Sequence, residues 1–519
     1  MSKRISMILI FLFLLISTSH SQVAWEPECR LTKDPMRSDS PSISSDSNGY
    51  LHVVWWDNFE GNPEIYYLRS TDEGFSWEGI QRLTNDPAGT FGSCVYVDPY
   101  YDYVHVVYYD KRHGDFEIYY RRSTNNGATW DEQEKRLTDA PGISHFLTSC
   151  IRSDRAGGLH VVWDDARDGN YEIYHKYSPD GGDNWSNDNR ITDHVGNSHS
   201  SSLCVDLAGT VHVTWSDDRD GNEEIYYSRS SDRGQTWIAE IPLSENPTES
   251  LVYGHSICAD NNNGVHVVWR DLIGEDQHLF YRRSDDGGNS WNVCETLTST
   301  INKSYRVLFP CICFESPETI HIAWNQHINS MPNPDLSYLR SLDCGQTWDK
   351  EIRLTYDPAY TNYPYLCIDV LKRVHLVFED WRSGSSESEI HYKRGFQTGL
   401  PQTDIKINND DGPLSIHSTE AVTVSVSLDP GNLAGVYHDW WLLGCVNNTS
   451  NYWFSYPCTW TISQLPVLAS AIPLVDLNDF VVATGEIPLI GSWVFTFAVD
   501  TANDNYEGLF TDEIIVNVY

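Results

Sequence analysis

Seven histidines are the first residues in this sequence whose type and recurrence suggest chemistry. His52, His105, His160, His212, His266, His321 and His375 each stand second in a short apolar run of the type Leu-His-Val-Val-Trp. A metal ion would need several of them to converge with tetrahedral geometry. They occur once per repeated segment, so each is read as a structural imidazole facing a carboxylate or backbone group. A second set follows the same runs. Asp165-Ala-Arg167-Asp-Gly-Asn-Tyr-Glu172 and Asp217-Asp-Arg219-Asp-Gly-Asn-Glu-Glu224 are its fullest copies, and Asp57, Asp110 with Arg112, and Asp380 with Arg382 mark weaker ones. Catalysis needs unlike groups at one spot, whereas a repeated motif offers like groups at many. These Asp and Arg residues are therefore expected to pair locally in hairpins, at the rim of whatever the repeats enclose.

Departures from the repetition are the better candidates for a ligand site. Tyr305, Arg306 and His327 lie in two loops that do not recur, and Arg37, Tyr253, His255, Arg270, Tyr360 and Tyr363 are expected on the same face. Aromatic and polar groups around a concavity suit a glycan or a peptide. No phosphate-binding loop, Ser-His-Asp order or Cys/His metal spacing is present.

The elements that must position these residues are set by a stretch written six times. Ser70-Thr-Asp72-Glu-Gly74-Phe-Ser-Trp77 returns around Asn125, Asp180, Asp232, Asp286 and Asp343, with Trp-to-Trp spacings of 53, 55, 52, 54 and 57 residues. The Asp or Asn can accept backbone N–H groups within a tight turn. Glycine supplies a left-handed position, and Trp covers the loop. The pattern Ser-x-Asp/Asn-x-Gly-x-x-Trp resembles the Asp box, or BNR repeat, of sialidases and related β-propellers. That resemblance implies a box between the third and fourth strands of each blade, on the face away from the ligand.

The histidine-bearing second strands number seven against six boxes. The seventh module ends after its third strand, at Arg394, while Cys29-Arg-Leu-Thr32 is a spare fourth strand of the Arg-Leu-Thr type. The expected fold is all-β: a seven-bladed β-propeller over 22–396, closed by an N-terminal strand so that no edge is left exposed. A linker at 397–402 then leads to an immunoglobulin-like β-sandwich at 403–519. Its strands are expected at Ala421–Leu428, Asp439–Leu443, Trp453–Tyr456, Trp493–Val499 and Glu513–Val518. This last region is similar to C-terminal accessory domains of exported bacterial proteins.

Residues 1–21 read as a secretory signal peptide: Lys3 and Arg4, an apolar run from Ile8 to Ile16, and a small-x-small site before Gln22. The apolar run is too short for a membrane span, so a secreted, periplasmic or cell-surface protein is expected. With 35 Lys and Arg against 73 Asp and Glu, the net charge of −38 argues against nucleic acid and anionic membranes as partners. An acidic, soluble monomer is expected. No cofactor is indicated; Ca²⁺ remains compatible with the acidic loops. Of the twelve cysteines, Cys94, Cys150, Cys204, Cys258, Cys311, Cys313 and Cys367 fall in one recurring strand and read as small buried apolar residues. Cys445 and Cys458 are the one candidate disulfide pair.

The resemblance to sialidases implies three carboxylate-clamping arginines, a Tyr nucleophile with a Glu partner, and an Asp acid. The Arg-Ile-Pro motif of that family is missing before Ser70, and Arg37, Arg270 and Arg306 are the non-repeated arginines that could stand in for the clamp. The expected function is binding of a glycan or an extracellular protein without catalysis. The alternative is an exo-acting glycoside hydrolase of the sialidase type.

Overall fold

The computed structural model describes residues 23–396 apart from 34–35, 141–143, 146–150, 245–254, 274–275, 299–304, 329–333, 357–359 and 383–387, together with the strands of residues 402–518. Two units are distinguished, Trp25–Phe396 and one containing Gln397–Tyr519.

The first unit consists of seven sheets: five are four-stranded antiparallel meanders, and two count five strands because one position is split, into Ser144–His145 and Ile151–Ser153 in blade three and into Val23–Trp25 and Cys29–Arg30 in blade seven. Blade one runs Ser38–Ser45, Leu51–Asp57, Glu64–Ser70, Gln81–Arg82. The second strands are apolar on both faces because each blade is sandwiched between two others. Leu51, Val53, Val54 and Trp55 are all buried, as are their counterparts Leu159, Val161, Val162 and Trp163. Leu51 lies opposite Ser70 and Asp57 opposite Glu64. The boxes therefore occupy the end where second strands begin, and the Asp-x-Arg hairpins the other end.

Blade seven is completed from the front of the chain, as the spare Arg-Leu-Thr segment implied. Cys29–Arg30 pairs with Glu389–Gln397, Cys29 opposite Tyr392 and Arg30 opposite His391. The side chains repeat the chemistry of a fourth strand. In blade one Arg82 and Thr84 both bind the buried Glu64, at 2.7 and 2.5 Å. In blade seven Arg30 and Thr32 bind Glu389 in the same way.

Adjacent blades are joined by the box itself. The Ser70 hydroxyl accepts the Gly74 N–H at 2.8 Å, and Asp72 accepts the Ser76 N–H at 2.8 Å, closing the turn. Gly127, in the box of blade two, presses onto Tyr67 of blade one: a Cβ built there would stand 1.7 Å from the phenol oxygen. Trp130 of the same box meets that ring edge-on at 4.9 Å. The Tyr67 hydroxyl in turn binds Nδ1 of His52 at 2.8 Å. The same set recurs with Tyr120 and Trp185, Tyr227 and Trp291, and Tyr281 and Trp348. Around blade three, His175 takes the tyrosine's place and bonds His160 at 3.0 Å. Blade seven has no box to cover Tyr338, and Trp25 of the N-terminal segment fills the position, edge-on at 5.0 Å.

In the second unit the described strands form two sheets. One contains Gln402–Ile407, Ala421–Asp429 and Leu477–Glu486; the other has Tyr437–Val446, Gly491–Thr501 and Phe510–Val518 side by side. Four of the five expected strand segments fall within these strands; of Trp453–Tyr456 only the last residue lies outside the described residues. The Cys445–Cys458 pairing also falls outside the described residues.

Two outcomes follow from this arrangement. Trp25→Ala should destabilise the chain by about 2–4 kcal/mol, as for other half-buried to buried aromatic truncations, read as a lower urea midpoint with unchanged m-value. Burial holds His105 and His160 down at about 3. The unfolded chain binds those protons first, so their contribution to stability is complete above about pH 6.5 and is lost as pH falls towards 3. Thermal unfolding followed from pH 7 to pH 4 should show a falling midpoint.

Candidate ligand site in the central channel

The first strands of all seven blades line the axis of the ring, where they enclose a cavity of about 770 Å³. Among the described residues, five first strands bend as they reach the mouth of the channel, each by one extra residue. Register shifts fall at Asp39/Ser42, Phe91/Ser93, His199/Ser202, Leu308/Cys311 and Asn362/Tyr365. Within them Ser40, Gly92, Ser200, Phe309 and Tyr363 adopt left-handed backbone angles, φ between 47° and 59°. Bulges re-aim side chains. For Phe and Tyr such angles cost about 1–3 kcal/mol each and persist only where the surroundings enforce them. Phe309 and Tyr363 stack on each other there, ring centroids 4.2 Å apart.

Beside each bulge stands the residue that precedes the conserved-in-repeat Asp or its replacement at the end of the second strand. This is the one position of that strand at which the blades disagree entirely: Trp56, Tyr109, Asp164, Ser216, Arg270, Asn325 and Glu379. Several of them hold the bulge of the following blade. Asp164 accepts the Ser200 N–H at 2.6 Å and the Ser201 N–H at 3.1 Å, and Asn325 donates to the Thr361 carbonyl at 2.7 Å.

Between blades seven and one this position is acidic and faces a second acid. Glu379 is buried, as is Asp39. Burial, reinforced by the neighbouring Asp39 charge, pushes the Glu379 carboxyl up to about 8, only partly offset by Ser388 and Arg37. Arg37 pairs with Asp39 and lies between the rings of Trp56 and Trp381, 5.3 and 5.4 Å from their centroids. Tyr363 completes the group; burial and then the two carboxyls raise its phenol. A carboxyl of raised proton affinity, a second carboxyl, a phenol and a guanidinium thus stand together, with Tyr363 reaching the cavity wall. Unlike groups with divergent proton affinities are what acid–base chemistry requires.

The sequence-derived candidates distribute unevenly around this mouth. Arg37 and Tyr363 belong to the cluster just described, and Arg270 is buried on the cavity wall. Arg306 is exposed, opposite the half-buried His327 across its strand pair. Tyr253 and the Tyr305 side chain lie outside the described residues. Asp165, Asp217 and Asp380 are buried and each binds the arginine two residues on. Arg167 is saturated further by Asp188 at 2.6 Å and stacks on Tyr174; Arg219 and Arg382 have equivalent second partners in Glu240 and Glu28. The hairpins are closed structural clamps. Asp72, Asn125, Asp180, Asp232, Asp286 and Asp343 sit in the boxes at the opposite end.

Below the mouth, the cysteines prove to be channel residues. Cys204, Cys258, Cys313 and Cys367 each stand opposite the second-strand histidine of their own blade. At the same level blade one has Ser44, blade two Tyr96 and blade three Arg152. Cys94, Cys204, Cys258, Cys311 and Cys313 line the cavity together with Arg152. Reading them as filler missed that the recurring strand is the innermost one. Among the described residues no group of three or more His, Cys, Asp or Glu is placed to hold a metal ion. Asp39, Glu379 and Arg152 were not singled out from the sequence. The available signal was their occupancy of repeat positions at which other blades carry different chemistry.

Seven meandering blades with six Asp boxes define the class: an Asp-box β-propeller. A model of the BNR repeat-like domain matches residues 12–267, in keeping with the repeated boxes and the propeller they join. No curated protein matches it significantly in sequence. Among solved structures it is similar to an ulvan lyase of polysaccharide lyase family PL25, at 13% identity and a TM-score of 0.51, over 70% of this chain and 95% of that one. It is also similar to the intramolecular trans-sialidase of Ruminococcus gnavus (13% identity, 72% and 96% covered, TM-score 0.41) and to the GH93 α-L-arabinofuranosidase of Fusarium graminearum (13%, 72% and 98%, 0.43). At these identities the likeness concerns the fold.

Glu379 generates a prediction with a definite sign. Its folded proton affinity, about 8, exceeds the ordinary value of 4.5. The folded state therefore holds an extra proton between those limits, and stability falls as pH rises from about 4.5 towards 8. Glu379→Gln should remove that slope. Its stability relative to wild type should improve steadily from pH 5 to pH 8 in urea titrations.

Proposed function

We propose that this is an exported propeller that binds a glycan at the mouth of its central channel. The observation that carries the reading is the cavity of about 770 Å³, whose mouth presents Tyr360, Tyr363, Phe309 and Tyr109 beside Asn362 and Arg270. Aromatic faces with a few convergent polar groups are how proteins take up sugar rings. The similar propellers with solved structures include a polysaccharide lyase and two enzymes acting on glycosidic bonds by name, which supports a glycan over a peptide. The leader-like start of the chain supports export, and the strands of residues 402–518 are read as an immunoglobulin-like accessory sandwich.

One observation favours a second, catalytic reading. Glu379 remains protonated at neutral pH beside Asp39 and Tyr363, as a general acid must. In that reading Glu379 donates its proton to the leaving oxygen as the glycosidic C–O bond breaks, water adds to the anomeric carbon and returns a proton to Glu379, and Asp39 supports the positive charge that develops.

The experiment is a glycan array followed by calorimetry on the full chain. At least one oligosaccharide should bind, and Tyr360→Ala should weaken it by roughly tenfold, the loss expected for one stacking ring. An array with no binder overturns the glycan reading. Incubating the bound oligosaccharide with wild type and Glu379→Gln separates the two modes. Cleavage lost in Glu379→Gln at unchanged affinity supports catalysis, whereas an intact oligosaccharide leaves binding as the function.

A further inference from the structure

Arg152 is a cation at the box-side end of the channel. It stands opposite His160 at the level otherwise occupied by serine, tyrosine and cysteine. Its guanidinium donates to the Ile151 carbonyl at 2.7 Å and lies over the Tyr96 ring, 5.2 Å from the centroid. The groups that act on its charge are Tyr365, Cys94 and Tyr96. Among the described residues no carboxylate stands within ion-pair distance of it.

The contrast with the arginines of the hairpins and of the acidic cluster is what gives this weight. Arg37, Arg167, Arg219 and Arg382 each meet at least one carboxylate, and the chain has acids to spare, 73 against 35 bases. The thiols next to Arg152 do not supply the missing charge. Burial raises Cys204 and Cys258 and so keeps them neutral. A partly buried guanidinium on a channel wall without a counter-charge among the described residues has an uncompensated charge that a bound anion would balance. It has five N–H donors, more than its protein partners use. Ser42 and Ser256 line the same cavity, and Tyr365 bonds the guanidinium there. An electropositive, donor-rich end of a channel lined by no carboxylate among the described residues is complementary to a small anion.

We propose that the box-side end of the channel is an anion site, in which Arg152 takes a small oxyanion or a carboxylate as its counter-charge. The site is separate from the acidic cluster at the mouth. Four residues along the first strand separate the bulge level, Ser40 in blade one, from the level of Arg152, Ser44 in blade one. At about 3.3 Å per residue that is roughly 13 Å. The anion is therefore either free in the channel or the anionic end of a ligand long enough to reach down from the mouth.

Calorimetry on the full chain tests this with three probes at matched ionic strength: inorganic sulfate, galacturonic acid and trigalacturonic acid. Saturable binding of at least one is expected, weakened tenfold or more in Arg152→Gln and largely kept in Arg152→Lys. Sulfate or the monosaccharide registering identifies a free anion; the trisaccharide alone registering identifies a ligand end. Identical titrations in wild type and Arg152→Gln, or no binding of any probe by the wild type, overturn the proposal. Should Arg152→Gln fail to fold, a bromide soak of wild-type crystals decides it. Anomalous density beside the guanidinium supports the site, and its absence overturns it. A chain that binds no neutral or anionic oligosaccharide but binds sulfate through Arg152 would retain this site while losing the glycan reading.

Discussion

Each blade is locked to the next by an aromatic ring pressed onto a glycine. The phenol of Tyr67 occupies the space where a side chain at position 127 would stand, and Trp130 closes over its edge. Only glycine tolerates both the close approach and the left-handed backbone of the box turn. The contact explains three repeated features at once: the box glycine, the box tryptophan and the histidine that bonds the phenol from below. It also explains why the ring needs its front end. Without a seventh box Tyr338 would lack its cover, and Trp25 supplies the ring that the repeat does not.

Because this lock sits at the box end, the other end of the channel is released from it. The mouth is instead held by bulges in the first strands and by the residues leaning on them, and those residues differ from blade to blade. Asp164 and Asn325 use their polarity to hold a neighbouring backbone. Glu379 has only partial compensation and keeps its proton. The same structural slot thus serves as a brace in some blades and holds a protonated acid in another. Repetition supplies the scaffold, and the site arises where repetition lapses.

The acidic composition invites a reading in terms of the surface, yet many of the informative charges are internal. Asp165, Asp217 and Asp380 are neutralised by arginines two residues away, and Glu64 and Glu389 by the Arg-Leu-Thr strands. Buried carboxylates paired in this way hold hairpins and blade edges in one geometry. Arg152, on the cavity wall, has no such partner among the described residues, and Glu379, beside Asp39, is held protonated by burial instead.

Much of the architecture was legible in the chain itself. The count of His52-type strands against Asp72-type boxes, with Cys29-Arg-Leu-Thr32 left over, predicted seven blades and their closure. These are local patterns, and local hydrogen bonding and burial are enough to produce them. The recurrence of Asp165 and Arg167 likewise pointed to hairpin clamps. What the linear order did not disclose is which strand is innermost and which way its bulges turn. Cys204 and Arg152 share one repeat position, and Glu379 and Asp39 are 340 residues apart. Their meeting depends on ring closure, a long-range packing event that brings the last blade against the first. The channel chemistry was decided there, by tertiary structure, because charge and proton affinity are properties of neighbours rather than of residues alone.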